Sequence, residues 1–230
     1  MALRNHPTPL KIGSAIRHFA LTSDPHYPTI LAREFNLLVP EDAMKCGTIC
    51  AQQNTYDFTA ADTIAHFAQQ HQQALRGHTL CWHLSFAPWM KKLTTLELEQ
   101  TLQQFITTIV SRYRGQCYAW DVVNEALTDD GHLRRSLWSR IEAFIPKCFR
   151  WAHQADPDAQ LIYLDYRLHK PGRQRAIHKL ASELRAEGIP IHGIGLQLHH
   201  EASRAIAISK LILPNLSQSF QRLGLSAPLR

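Results

Sequence analysis

The residues best suited to chemistry lie in Trp120-Asp121-Val122-Val123-Asn124-Glu125-Ala126-Leu127, where an apolar run ends in Asn-Glu. A carboxylate at a strand end beside an amide suits glycoside hydrolysis. A general acid needs its pKa raised, and the Asn can hydrogen-bond a sugar hydroxyl. The same pair is equally at home as the cap of an ordinary strand-to-helix turn, so spacing alone leaves both readings open. A second apolar run, Arg76-Gly77-His78-Thr79-Leu80-Cys81-Trp82-His83, ends in residues that offer a sugar ring an aromatic face and polar partners. Here too the commoner use of a lone His or Trp is core packing. The 14 histidines raise the question of a metal, and His78, His83, His199 and His200 are the natural candidates. No HExxH-like spacing falls on a predicted helix, and adjacent His199 and His200 on a strand face opposite sides. No metal or other cofactor is expected.

These residues need elements to position them. Short aliphatic runs alternate with longer stretches of helical periodicity, the rhythm of successive βα units and of a parallel sheet covered by helices. Strands are predicted at Lys11–Ile16, Phe35–Val39, Ala74–Leu80, Cys117–Val123, Gln160–Leu164 and Ile191–Leu196. Helices are predicted at Ala60–Gln70, Leu96–Arg112, Leu137–Gln154 and Gln174–Glu187. Thr94 with Glu97 fits the S/T-x-x-E capping box, Gly188 sits where a helix stops, and Pro190 breaks the chain before the next strand. In an eight-stranded βα barrel a carboxylate at the C-terminal end of a strand points into the active-site mouth. Such a barrel takes about 250 residues, and the six units found here make roughly three quarters of its ring. After the sixth strand a helical stretch, Ala205–Leu223, leads into Gly224-Leu225-Ser226, a turn toward a seventh strand, and the sequence ends at Arg230.

Bulk properties fit one globular domain. The 230 residues are 45% hydrophobic and 19% charged, far from a disordered composition. The net charge of +6 is scattered with no run of like charge, so a solvated basic surface is the simpler reading and no nucleic-acid partner is expected. Cys46, Cys50, Cys81, Cys117 and Cys148 match neither a paired CxxC zinc site nor a disulfide framework and read as buried free thiols. Residues 1–12 lack the apolar stretch of a signal peptide, and no long apolar run crosses a membrane, so a cytoplasmic location is expected.

Five motifs fall at strand ends in order: Glu41-Asp42-Ala43-Met44-Lys45; Arg76-Gly77-His78-Thr79-Leu80 with Trp82-His83; Trp120-Asp121-Val122-Val123-Asn124-Glu125-Ala126; Asp165-Tyr166; and Gly193-Ile194-Gly195-Leu196-Gln197 with His199. From Ile12 onward the chain resembles glycoside hydrolase family 10, the β-1,4-xylanases. The resemblance implies an α/β fold, a (β/α)8 TIM barrel with about six of its eight units present, in a single catalytic domain over residues 1–230. By resemblance Glu125 is the general acid/base, and Asn124 holds the hydroxyl next to the scissile carbon. Glu41, Lys45, His78, Trp82 and Gln197 contact the glycone side, and His199 orients the nucleophile. The implied substrate is xylan or a xylo-oligosaccharide, cut internally with retention of configuration.

Departures from the family are as informative. Asp42 stands where the family has Asn, Cys46 where it has Trp, Ser85 where it has Gln and Leu164 where it has Asn. After Leu223-Gly224-Leu225 the family continues into a seventh strand ending in Thr-Glu-Leu-Asp, whose Glu is the nucleophile. This sequence instead reads Ser226-Ala227-Pro228-Leu229-Arg230. Nothing around Glu201 supports it as a substitute. Two readings follow: a truncated xylanase of doubtful activity, or a noncatalytic xylan binder or inactive fragment. Loss of the last strands exposes the edges of the first and sixth, which invites self-association.

Overall fold

The computed structural model describes residues 2–7, 10–168 and 170–197. Every apolar run predicted as a strand is one: β1 Gly13–Ile16, β2 Leu37–Pro40, β3 Ala74–Trp82, β4 Cys117–Asn124, β5 Gln160–Tyr166 and β6 Gly193–Gln197. They form one sheet in the order β1-β2-β3-β4-β5-β6, and every pair is parallel. Parallel neighbours require a crossover. Between β1 and β2 it holds α1 (His18–Ser23) and α2 (Tyr27–Glu34), and between β2 and β3 it holds α3 (Cys46–Ile49) and α4 (Thr59–Gln70). The remaining crossovers are α5 (Thr95–Arg112), α6 (Phe144–Ala155) and α7 (Pro171–Ala186). This is a partial (β/α)8 barrel. Among the described residues β1 pairs with β2 alone and β6 with β5 alone.

Local chemistry explains the clearest element ends. At the start of α5 the Glu97 amide donates to Thr94 Oγ1 at 3.3 Å while the Thr94 amide donates to Glu97 Oε2 at 2.8 Å, the predicted capping box. From there Leu98, Leu102, Phe105, Ile106 and Ile109 recur at helical spacing and are fully buried. At the end of α7 the Gly188 amide donates to the Arg185 carbonyl (3.0 Å) and the Ile189 amide to that of Leu184 (2.8 Å). That paired pattern is a Schellman motif, and it needs the left-handed φ of +68° that Gly188 adopts.

The helix predicted over Leu137–Gln154 is broken. A 3-10 turn at Trp138–Arg140 is followed by extended Ile141 and left-handed Ala143, and α6 begins only at Phe144. Pro146 is the physical reason. Within a continuous helix its ring would strike the Glu142 carbonyl and it would have no N–H to give, whereas in the first turn of α6 neither matters. The short α1, α2 and α3 carry no long apolar repeat and were not anticipated.

On the inner face of the sheet lies a buried ion pair. Arg76 on β3 donates through Nε (3.0 Å) and Nη2 (2.5 Å) to Asp121 Oδ1 on β4, and both residues are buried. Gly195 on β6 leaves them room, because a Cβ there would lie 3.0 Å from Arg76 Nη2 and 2.5 Å from Leu164 Cδ1. Removing one partner of such a pair strands a buried charge. Arg76→Met is therefore expected to lower unfolding free energy by about 3–5 kcal/mol, against about 1 kcal/mol for Thr94→Ala at the exposed cap, as read by urea denaturation.

Candidate active site

Glu125 follows the last residue of β4 and adopts a left-handed φ of 56°, a conformation that costs a side chain such as Glu roughly 1–2 kcal/mol unless its surroundings hold it. They do. Its amide donates to the Leu164 carbonyl at 2.9 Å, and its carbonyl accepts from Arg134 Nε at 3.1 Å. The same guanidinium donates through Nη2 to the Leu127 carbonyl (2.9 Å) and the Tyr166 hydroxyl (3.1 Å), tying the turn to the end of β5.

The turn aims the half-buried Glu125 carboxylate at the ends of β3 and β6. Its Oε2 accepts from Trp82 Nε1 and its Oε1 from Gln197 Nε2, each at 3.0 Å. The Asn124 amide lies 2.7 Å from Gln197 Nε2. Turned so that its oxygen faces the Trp82 indole at 3.3 Å, it also donates to the Leu164 carbonyl at 3.2 Å. The strand register makes this convergence possible, since Trp82, Asn124 and Leu164 lie side by side on β3, β4 and β5. It is reached through irregularities between His78 and Cys81 and between Asp121 and Val123. Bulges of this kind re-aim side chains beside functional sites.

Deeper in the barrel His78 Nδ1 lies 3.0 Å from Asp121 Oδ2, so the carboxylate that holds Arg76 also fixes the imidazole. Toward the end of β2, Lys45 Nζ sits 4.7 Å from the centre of the Trp82 ring and 2.8 Å from Asp42 Oδ1. Arg17, just past β1, grips Glu41 with two bonds of 2.7 Å, which hold the Glu41 carboxyl below its usual pKa. Glu41, Lys45, His78 and Gln197 line one cleft of about 550 Å³. Thus Trp82, Asn124, Glu125 and Gln197 converge directly, and Glu41, Lys45 and His78 share the adjoining cleft. His199, Glu201 and the stretch predicted to lead into a seventh strand lie outside the described residues.

Sequence reasoning missed three participants. Arg134 lies in an irregular loop with no motif of its own. Arg17 follows a short strand of four residues, two of them exposed. Asp121 stood inside a quoted motif, but its partners on β3 lie more than 40 residues away. His83 takes no part in these hydrogen bonds. Burial, aided by Arg134 and opposed by Glu125, pushes its pKa down, and its Nδ1 is buried with no hydrogen-bond partner among the described residues.

A partial parallel barrel that gathers a strand-end carboxylate, an indole and two amides beside a cleft is the arrangement that the resemblance to glycoside hydrolase family 10 leads one to expect. The comparisons agree. The family model for glycosyl hydrolase family 10 matches residues 3–226, and the chain belongs to that family. It is 43% identical over 192 residues to a β-1,4-xylanase of Dictyoglomus thermophilum and 38% over 198 residues to endo-1,4-β-xylanase A of Xylanibacter ruminicola. Each match covers 82% of this chain and 54% of the relative, so the chain spans about half the length of these curated relatives. Xylanase 10B of Thermotoga petrophila RKU-1, solved in complex with xylobiose, superposes with a TM-score of 0.89 at 33% identity, covering 99% of this chain and 71% of that one. A family 10 endoxylanase from a sugarcane soil metagenome gives 0.86 at 32% identity, covering 96% and 66%.

Asp165, at the end of β5, supplies a pH-dependent prediction. Burial pushes its carboxyl up to about 6 despite hydrogen bonds from the Tyr163 hydroxyl (2.8 Å), Arg173 Nη1 (2.5 Å) and the Tyr166 amide (2.8 Å). Because the folded protein holds this proton to higher pH than the unfolded chain, the contribution is present below about pH 4 and is lost as pH rises toward 6. The stability of the parent relative to Asp165→Asn should fall by up to about 3 kcal/mol over that window in denaturant titrations at fixed pH.

Proposed function

We propose that this chain is a glycoside hydrolase of the endo-1,4-β-xylanase type, directed at internal bonds of xylan, with residues 1–230 as one catalytic domain. The observation that carries this reading is the Glu125 carboxylate, pinned by Trp82 and Gln197 at the mouth of the partial barrel. In this role Glu125 gives its proton to the leaving glycosidic oxygen. Asn124 takes the sugar hydroxyl next to the scissile carbon, while Glu41, Lys45, His78, Trp82 and Gln197 hold the glycone side. His199 is assigned to orienting the nucleophile.

Retention needs a second carboxylate about 5–5.5 Å from the first, forming and then releasing a covalent glycosyl-enzyme. Among the described residues the other carboxylates near the strand ends are engaged: Glu41 by Arg17, Asp42 by Lys45, Asp121 by Arg76 and His78, and Asp165 by Arg173. That engagement favours a second reading, in which the chain binds xylo-oligosaccharides without turning them over. Among the described residues β1 and β6 are edge strands, which supports a further element of the proposal, self-association through strand pairing.

Release of reducing sugar from xylan by the purified chain and by Glu125→Gln, together with titration by xylotriose, separates the readings. Saturable binding with no turnover above Glu125→Gln would favour the second reading. Turnover abolished by Glu125→Gln would establish the hydrolase reading and place a nucleophile beyond the described residues. Absence of both binding and turnover would sink both readings.

A further inference from the structure

The start of β6 is held to β5 by a side chain. The His192 amide donates to the Leu161 carbonyl at 2.9 Å, and the Leu161 amide donates in return to His192 Nδ1 at 2.9 Å. The second of these bonds uses an imidazole nitrogen where a parallel ladder uses a carbonyl. A backbone N–H can only donate, so Nδ1 must offer its lone pair, and the ring is neutral with its proton on Nε2. A proton added at Nδ1 would set one N–H against another, and Leu161 is fully buried, so its amide would lose its acceptor away from water. Burial is the largest of three influences that push the His192 pKa down. The others are His153 on α6 and Arg185 on α7, the titratable and charged groups that face the ring.

We propose that His192 is a pH-sensitive clamp: neutral, it fixes the start of β6 on β5, and protonated at Nδ1 it releases that end of the strand and loosens the hold on Gln197 beside Glu125. Among the described residues β6 pairs with β5 alone, and it ends in Gln197, which donates to Glu125 Oε1. The clamp is therefore connected to the site by one short strand. Its sign follows from the proton balance. Opening returns His192 to its ordinary pKa of 6.5, whereas the closed strand holds it lower, so the open form takes up the proton more readily. The clamp holds fully above that value and weakens as pH falls below it.

Amide hydrogen exchange followed by NMR on the whole chain at pH 7.5 and 5.5 tests it, each rate being divided by the intrinsic rate at that pH. Between those values the opening constant of the Leu161 amide should rise about three- to tenfold in the parent. In His192→Asn, whose side-chain oxygen can accept the same bond without titrating, it should change by less than about 1.5-fold relative to amides paired between β3 and β4. Asp165 titrates near pH 6 with the opposite sign, and comparing the parent with His192→Asn cancels its contribution. His153→Gln should keep the acid response of the parent. The ring nitrogens of His192 give a reading that needs no substitution: their shifts should show Nδ1 unprotonated at pH 7.5, and its protonation should accompany the loss of Leu161 protection. Leu161 protection unchanged by pH, an equal acid response in His192→Asn, a response abolished by His153→Gln, or a protonated His192 ring beside a protected Leu161 would each overturn the proposal. No ligand enters the measurement, so its outcome is independent of what the cleft binds.

Discussion

The buried carboxylate of Asp121 is the constraint on which the inner barrel depends. It takes Arg76 on one oxygen and His78 on the other, and its own carbonyl accepts from Thr79 Oγ1 at 2.8 Å. Three residues of β3, Arg76, His78 and Thr79, are thus registered against a single residue of β4. A buried charge tolerates little displacement, because losing its partners exposes the whole desolvation cost. The register it enforces carries outward to Trp82 beside Asn124, and so to the indole that holds Glu125. On the far side, the absence of a side chain at Gly195 lets β6 close over Arg76, which brings Gln197 to the same carboxylate.

Around Glu125 the fold spends conformational strain to gain direction. A regular strand continuation would direct the side chain to one face of the sheet by simple alternation, whereas the left-handed turn at Glu125 re-aims its carboxylate toward Trp82 and Gln197. Arg134 stabilises that turn from behind with three bonds to two backbone carbonyls and the Tyr166 hydroxyl. A further guanidinium, Arg173, reaches both Asp165 and Asp129 and lies 4.3 Å from the Tyr166 ring, so the β4 and β5 ends share one charged scaffold. The acid/base candidate is consequently positioned by groups that need never touch a sugar.

The elements were legible in the sequence wherever one local rule dominated. The α5 start followed from Thr94 and Glu97, its buried face from the spacing of Leu98 through Ile109, and the α7 stop from Gly188. The error over Leu137–Gln154 arose where periodicity and proline chemistry disagreed, and the ring of Pro146 prevailed. The short helices after β1 and β2 escaped notice because so few residues cannot express a period.

By itself the sequence pointed to the residues suited to chemistry and to strand ends as their place: Trp82, Asn124, Glu125 and Gln197 stand where apolar runs stop. That much is local, since strands and helices follow from patterns a few residues long. Only the tertiary structure decided which of them meet, and with what. Glu125 joins Trp82 and Gln197 across 43 and 72 residues of chain, through a lateral register and two irregularities that no local pattern specifies. The pairing of Glu41 with Arg17, and of His78 and Arg76 with one Asp121, is likewise a matter of side chains brought together from separate strands. Charges find partners through space, and the sequence records only their order.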